Sequence, residues 1–169
     1  MEVPRTVKEM YHRVDPEFKH KVLKVPGGET LRFCYQCGTC TATCPIARFT
    51  DVYRPNKIIH LAKLGIRHVV YSDAVWLCVN CYSCTERCPQ GVKVADVMRA
   101  LKNLAVEEGY SPDFSKEFAN NILNTGIAYS IPSSRLSKRG SVGLPPLPKT
   151  KLEDLKRFAE ITGFSKLAR

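Results

Sequence analysis

The sequence predicts an all-α protein built on two pseudo-symmetric cysteine motifs, and three observations carry that expectation. Residues 34–45 read CYQCGTCTATCP and residues 78–89 read CVNCYSCTERCP, so cysteines at 0, +3, +6 and +10 and a proline at +11 occur twice. Apolar residues recur at helical spacing between the motifs and after them. No segment alternates apolar and polar residues over a strand's length with turns at hairpin spacing.

The elements follow in order. Residues 15–25, DPEFKHKVLKV, predict a short helix with Asp15 as N-cap, Pro16 at the first helical position and Gly27-Gly28 beyond its end. It belongs to an N-terminal helical arm expected over residues 1–29, ahead of a two-motif domain expected over residues 30–129. Between the motifs, residues 54–70 place Ile58, Ile59, Leu61, Ala62, Leu64 and Ile66 on a broad apolar helical face, which Gly65 stops. After the second motif, residues 92–108 carry Val94, Val97, Met98, Leu101, Leu104 and Ala105 at helical spacing, and Gly109 ends the run. A further helix opens at Ser111-Pro112-Asp113, with Phe114, Phe118, Ile122 and Leu123 on one side. Residues 130–149 are rich in Pro, Ser and Gly and read as an extended linker. A C-terminal helix over residues 150–169 is expected to open on the capping box Thr150-Lys151-Leu152-Glu153 and to run to Gly163.

A chain of 169 residues buries roughly 70% of its unfolded surface and builds a core without covalent help. Its unusual features are eight cysteines and a net charge of +10. The first residues lack the apolar run of a secretory signal, and no stretch approaches the ~20 apolar residues of a membrane-spanning helix. The expectation is a cytoplasmic chain with no membrane span, whose cysteines serve metal or redox chemistry rather than disulfides. The 26 Lys and Arg are spread along the chain without a recognisable nucleic-acid module, which favours acidic protein partners over nucleic acid.

Three cysteines at 0, +3 and +6 lie on a compact loop that wraps one corner of an iron–sulfur cubane, and Gly38 lets the backbone turn tightly there. In two-cluster proteins with this motif the fourth cysteine, followed by proline, ligates the other cluster. The motifs therefore predict two [4Fe–4S] clusters, one on Cys34, Cys37, Cys40 and Cys88 and the other on Cys78, Cys81, Cys84 and Cys44. Pro45 and Pro89 redirect the chain after each fourth cysteine. Thr41 and Thr85, which follow the third cysteine in each copy, are candidates either to donate hydrogen bonds to cluster sulfur or to cap local backbone. Tyr35, Tyr82 and Trp76 flank the motifs as candidates to shield the clusters or simply to pack. Zinc uses paired C-x₂-C knuckles but has no use for the third cysteine or the duplicated Cys-Pro ending. His12, His20, His60 and His68 are not needed as ligands, because eight cysteines fill two cubanes. No G-x-G-x-x-G, P-loop or nucleophile–base pair is present, so no catalytic residue is assigned to this chain.

The stretches CYQCGTCTATCP with the following IARFTDVYRPNKII, and WLCVNCYSCTERCPQGVKVADVM, resemble the C subunit of heterodisulfide reductase. The resemblance is close over about residues 30–110 and implies a helical ferredoxin fold. It implies an oxidoreductase subunit that relays electrons through two [4Fe–4S] clusters, from a flavin-containing A subunit to a catalytic B subunit. In that family the B subunit reduces the mixed disulfide of coenzymes M and B in methanogenesis. It carries adjacent cysteine pairs, which this chain lacks. A hydrogenase or formate dehydrogenase module is a further implied partner. The same resemblance admits a heterodisulfide-reductase-like complex of sulfur oxidation or sulfate reduction, and a relay subunit of a membrane respiratory dehydrogenase is the remaining alternative.

Overall fold

The computed structural model describes residues 14–147 and 150–168, so the first thirteen residues of the expected arm lie outside the described residues. Among the described residues the secondary structure is helical, with one isolated antiparallel bridge between Val14 and Ile66. The helices are α1 Pro16–Lys24, α2 Thr39–Ala42, α3 Pro55–Lys63, α4 Asp73–Trp76, α5 Ser83–Glu86, α6 Val94–Glu107, α7 Asp113–Thr125, α8 Ser133–Ser141 and α9 Leu152–Thr162. Short 3₁₀ segments at Glu29–Phe33, Ile46–Arg48, Arg67–Tyr71 and Phe164–Ala168 join them. The chain divides into two compact units, Met1–Tyr110 and Ser111–Arg169.

In the first unit the expected apolar faces form the core. Helix α1 is capped by Asp15, whose carboxylate accepts the Glu17 N–H at 2.9 Å, and it buries Phe18 and Val22. Helix α3 buries Ile58, Ile59, Leu61 and Ala62, and α6 buries all six of its expected apolar positions. Leu64 departs from the expected face. The helix closes at Lys63, so Leu64 falls on the turn and is 41% exposed, while Ile66 beyond it is fully buried. That turn admits only glycine at position 65. Its φ is +79°, and an added Cβ would stand 2.3 Å from the Asp15 carbonyl oxygen. Asp15 N–H donates back to the Gly65 carbonyl at 2.7 Å, which pins the start of α1 to the end of α3.

One carboxylate ties three elements of this unit together. Glu108, just past α6, accepts from Lys21 of α1 at 3.0 Å, from both arms of the Arg67 guanidinium at 3.0–3.1 Å, and from the Tyr71 hydroxyl at 2.7 Å. Its side chain is only 7% exposed, although Lys21 and Arg67 remain about half in solvent.

The second unit differs from expectation at two places. Residues 130–149 do not run extended throughout, because α8 occupies Ser133–Ser141. The prolines and glycines that suggested a linker instead bound this helix. Pro132 stands at its N-cap, Gly143 lies beyond its end at φ +72°, and the interior SSRLSKRGS contains no proline. Helix α8 buries none of its residues, and Arg139 Nε closes its far end on the Pro145 carbonyl at 2.6 Å. The capping box is also displaced. Helix α9 starts at Leu152 with Lys151 as N-cap and no side-chain capping bond. Thr150 packs on Gly126 instead, where a Cβ would lie 2.4 Å from its Oγ1. Helices α7 and α9 pack against each other, and Ala119 and Ala159 are their buried apolar residues. The helix expected to open at Ser111-Pro112-Asp113 thus belongs to the second unit. The boundary falls after Tyr110, which is tied to Asp73 by its hydroxyl at 2.6 Å, and Pro112 opens a new helix.

Burial pushes the Glu108 carboxyl up, but the hydrogen bonds from Arg67, Tyr71 and Lys21 outweigh it and hold it below the usual glutamate range. A depressed carboxylate contributes stability that is fully present above its unfolded value and is lost as pH falls through its folded value. Glu108→Gln is therefore expected to lower stability by about 1–2 kcal/mol. The deficit in anaerobic urea unfolding should stay constant from pH 8 to pH 5, and a deficit that disappears within that range would contradict this assignment.

Candidate metal centres

Each cysteine motif folds the same way from its first residue to its eighth. After the first cysteine, the residues at +2 and +4 adopt positive φ in both copies: Gln36 at 68° and Gly38 at 81°, Asn80 at 51° and Tyr82 at 62°. The residue at +4 is then the N-cap of a four-residue helix, α2 or α5, that carries the third cysteine, and these two helices pack against each other. Glycine meets this backbone requirement freely at position 38. Tyrosine at position 82 does so at a cost of about 1–2 kcal/mol. Its hydroxyl is held at 3.3 Å from Asp96 Oδ1 and accepts from Arg99 at 3.1 Å, which anchors the strained residue to α6.

The eight thiols gather round two cavities. The first is open to solvent, and its lining includes Cys34, Cys37, Cys40, Cys88, Gly38 and Pro89. The second, also open, is lined by Cys78, Cys81, Cys84 and Cys44 together with Tyr53, Asn80 and Tyr82. Each cavity thus takes three cysteines from one motif and the fourth from the other. No carboxylate or imidazole is among either lining. Among the described residues no three Cys, His, Asp or Glu groups close on one point as a lone ion requires. An all-thiol donor set spread round a volume suits a four-iron cluster, whose thiolates stand at the corners of a cube.

The thiols differ in a pattern that repeats. Cys40 and Cys84, the third of each motif, are buried, and burial, with repulsion from neighbouring thiolates, pushes each up to about 11. Cys37 and Cys81, the second of each motif, are exposed. Hydrogen bonds from Thr39 lower Cys37, and hydrogen bonds from Ser83 lower Cys81. Any bound metal would override these differences, because a coordinating thiol is deprotonated outright.

The threonines at +7 serve the helices that follow. Thr41 hydroxyl donates to Asn56 Oδ1 at 2.6 Å and accepts the Asn56 N–H at 3.0 Å, at the second residue of α3. Thr85 accepts the Ala95 N–H at 3.1 Å, at the second residue of α6, and also hydrogen-bonds the Cys84 thiol. In the first copy the equivalent bond to Cys40 comes from the Thr41 backbone instead. Pro45 leads into the 3₁₀ turn Ile46–Arg48 and is not part of the second cavity's lining.

Several residues at the cavities were not singled out from the sequence. Tyr53, only 2% exposed, lines the second cavity. Burial, with the Cys78 thiol that its hydroxyl bonds, pushes that hydroxyl far above its usual range. Gln36 donates to Cys34 Sγ at 3.2 Å, and Val92 N–H donates to Cys88 Sγ at 3.3 Å. Lys63 donates to the Cys34 carbonyl, and Lys102 donates to the Cys78 carbonyl at 2.9 Å. Burial lowers the Lys102 ammonium, with the Cys78 thiol acting the other way. The lysines were legible in principle. Aligning PNKIIHLAK with VADVMRALK puts Lys63 opposite Lys102, which shows that the duplication includes the helix after each motif. Of the flanking aromatics, Tyr35 hydrogen-bonds the Cys37 thiol while remaining 58% exposed.

A helical fold that presents two four-thiol cavities suits the class of iron–sulfur proteins. Consistently, residues 30–92 match the 4Fe-4S dicluster domain family. The chain is 38% identical over 161 residues to the C subunit of the H(2):CoB-CoM heterodisulfide,ferredoxin reductase of Methanothermobacter thermautotrophicus, covering 91% of this chain and 86% of the relative. It is 37% identical to the iron-sulfur C subunit of the CoB--CoM heterodisulfide reductase of Methanopyrus kandleri, over 97% of this chain and 86% of that one. The C subunit of the ferredoxin:CoB-CoM heterodisulfide reductase of Methanosarcina mazei is 36% identical, with 88% and 94% covered. The chain belongs to the family of heterodisulfide reductase C subunits. It is therefore part of an oxidoreductase assembly, and none of its described helices is long and apolar enough to cross a membrane.

The threonine caps yield a direct test. Thr41→Val strands the Asn56 N–H and amide, so it is expected to destabilise the chain by about 1–2 kcal/mol, and Thr41→Ser should restore most of the loss. Urea midpoints of the anaerobic proteins measure both. Equal midpoints for wild type and Thr41→Val would remove the capping role.

Proposed function

We propose that the chain is the electron-relay subunit of a CoB–CoM heterodisulfide reductase. In this reading it takes electrons from a flavin-containing A subunit and hands them to the B subunit that reduces the heterodisulfide in methanogenesis. Cys34, Cys37, Cys40 and Cys88 would hold one [4Fe–4S] cluster, and Cys44, Cys78, Cys81 and Cys84 the other. Bound there, the pair would accept and release one electron at a time. The observation that supports this most is the exchange of the fourth cysteine between the two cavities.

The residues divide the work of holding such a pair. Cys40 and Cys84 anchor each site from its buried side, while Cys37 and Cys81 face outward where a partner's redox group could approach. The Cys34, Cys88 and Cys78 thiols accept hydrogen bonds from Gln36, Val92 and Tyr53, which stabilise negative charge on sulfur. The absence of a nucleophile–base pair from the sequence fits a chain that leaves the disulfide chemistry to the B subunit. The names of the relatives, which carry CoB-CoM heterodisulfide and in one case H(2), favour the methanogenic complex and an electron supply from a hydrogenase-type module.

Two measurements test the reading. In the reconstituted chain, Cys88→Ala is expected to alter the same cluster's EPR signal as Cys37→Ala, and Cys44→Ala the same signal as Cys81→Ala. If Cys88→Ala instead matches Cys81→Ala, the exchange of ligands is wrong. Anaerobic capture of the chain from its host should bring down a flavoprotein, a second protein with adjacent cysteines and heterodisulfide-reducing activity. Recovery of a haem-bearing membrane protein, or reduction of a different sulfur substrate, would reassign the complex.

A further inference from the structure

Lys63 and Lys102 are the ninth residues of α3 and α6, the helices that follow the two motifs. Each reaches back to the carbonyl of the first cysteine of its own motif, Lys63 to Cys34 and Lys102 to Cys78. Both side chains are half-buried, and Lys102 Nζ also stands 5.8 Å from the centre of the Trp76 ring. A lysine is an unusual choice for a simple carbonyl latch, because ordering its long stem costs side-chain entropy and burying its charge costs more. A hydroxyl or amide placed closer would donate the same bond. The feature that only a lysine or arginine supplies here is the charge, and each motif receives one such lysine on the carbonyl of its first cysteine.

We propose that Lys63 and Lys102 are a matched pair of positioning residues, each fixing the first cysteine of one site and setting a cation beside it that favours the reduced state of the cluster held there. The inference rests on the reading that each cavity holds a [4Fe–4S] cluster. Four thiolates around a cubane leave the site negatively charged, and reduction adds one further negative charge. A fixed cation nearby stabilises the reduced form more than the oxidised form, so it raises the reduction potential. Because the lysines sit at equivalent positions, each acts chiefly on its own site, and the two potentials are set separately.

The test is a potentiometric titration of the full, reconstituted chain, followed by EPR, with iron and sulfide assayed on the same samples. Lys63→Gln and Lys102→Gln remove the charge but keep a donor, whereas Lys63→Arg and Lys102→Arg keep both. The expected result is that each Gln variant moves one midpoint to a more negative potential, that the two variants move different midpoints, and that the Arg variants stay near wild type. Unchanged midpoints in fully loaded Gln variants would overturn the proposal. So would a shift as large in the Arg variants, or both Gln variants moving the same midpoint. Where a Gln variant loses iron, Lys63→Met or Lys102→Met takes its place in the same titration: a more negative midpoint supports the role of charge, and an unchanged one overturns it. A wild-type chain that binds no pair of cubanes would overturn the cluster reading itself, a separate result visible before any variant is compared.

Discussion

The first unit is governed by a demand that thiols be gathered in fours while its apolar residues close into a single core. Cysteines clustered on one loop cannot meet that demand alone, because three at spacing +3 exhaust one face of a tight turn and the fourth, at +10, has already passed beyond a short helix. The chain answers by lending each fourth cysteine to the opposite site, so that Cys88 lines the first cavity and Cys44 the second. Everything near the motifs follows from that exchange. Helices α2 and α5 must lie side by side, which brings the buried Cys40 and Cys84 to the inner walls. The long helices α3 and α6 then cover the other sides with Ile59 and Val94, both lining the first cavity, and with Ala95, lining the second.

The duplication runs deeper than the cysteines. In each copy one threonine bonds the second residue of the next helix, and one lysine at that helix's ninth residue returns to the first cysteine's carbonyl. Motif and helix are thus fastened at two points, the helix's second residue and its ninth. These fastenings hold the loop's positive-φ residues in place, and at Tyr82 the contacts of its hydroxyl with Asp96 and Arg99 add to them. The same economy appears at Glu108, where one carboxylate joins α1, the 3₁₀ turn at Arg67–Tyr71 and the end of α6.

What the sequence disclosed follows from how local each signal is. Asp15 before Pro16, the apolar stripe of α6 and the glycines at 65 and 109 act within a few residues, and each does what its pattern implied. The cysteine spacing is equally local, and each cavity lining takes three cysteines from one motif and the fourth from the other. The misread segments are those in which the same residues serve two structures. Pro132 and Gly143 punctuate a helix as readily as they loosen a linker, and Thr150 packs on Gly126 when it is one residue too early to cap α9. Tyr53 could not be found by spacing at all. It reaches Cys78 across 25 residues of sequence, and nothing in its neighbours Val52 and Arg54 marks it as buried.

The two copies are alike, but the connection from motif to helix is not. Nine residues, 46–54, separate Pro45 from α3, whereas four, 90–93, separate Pro89 from α6. The longer connection carries Phe49, 88% exposed, and Val52, 67% exposed, and it delivers Tyr53 to the second cavity. A conductor with identical ends could be wired into an assembly either way round. These few extra residues make the two ends different, so that a partner able to recognise them meets another surface at the other end. Polarity in such a chain would come from what interrupts its symmetry rather than from the repeated parts that carry the charge.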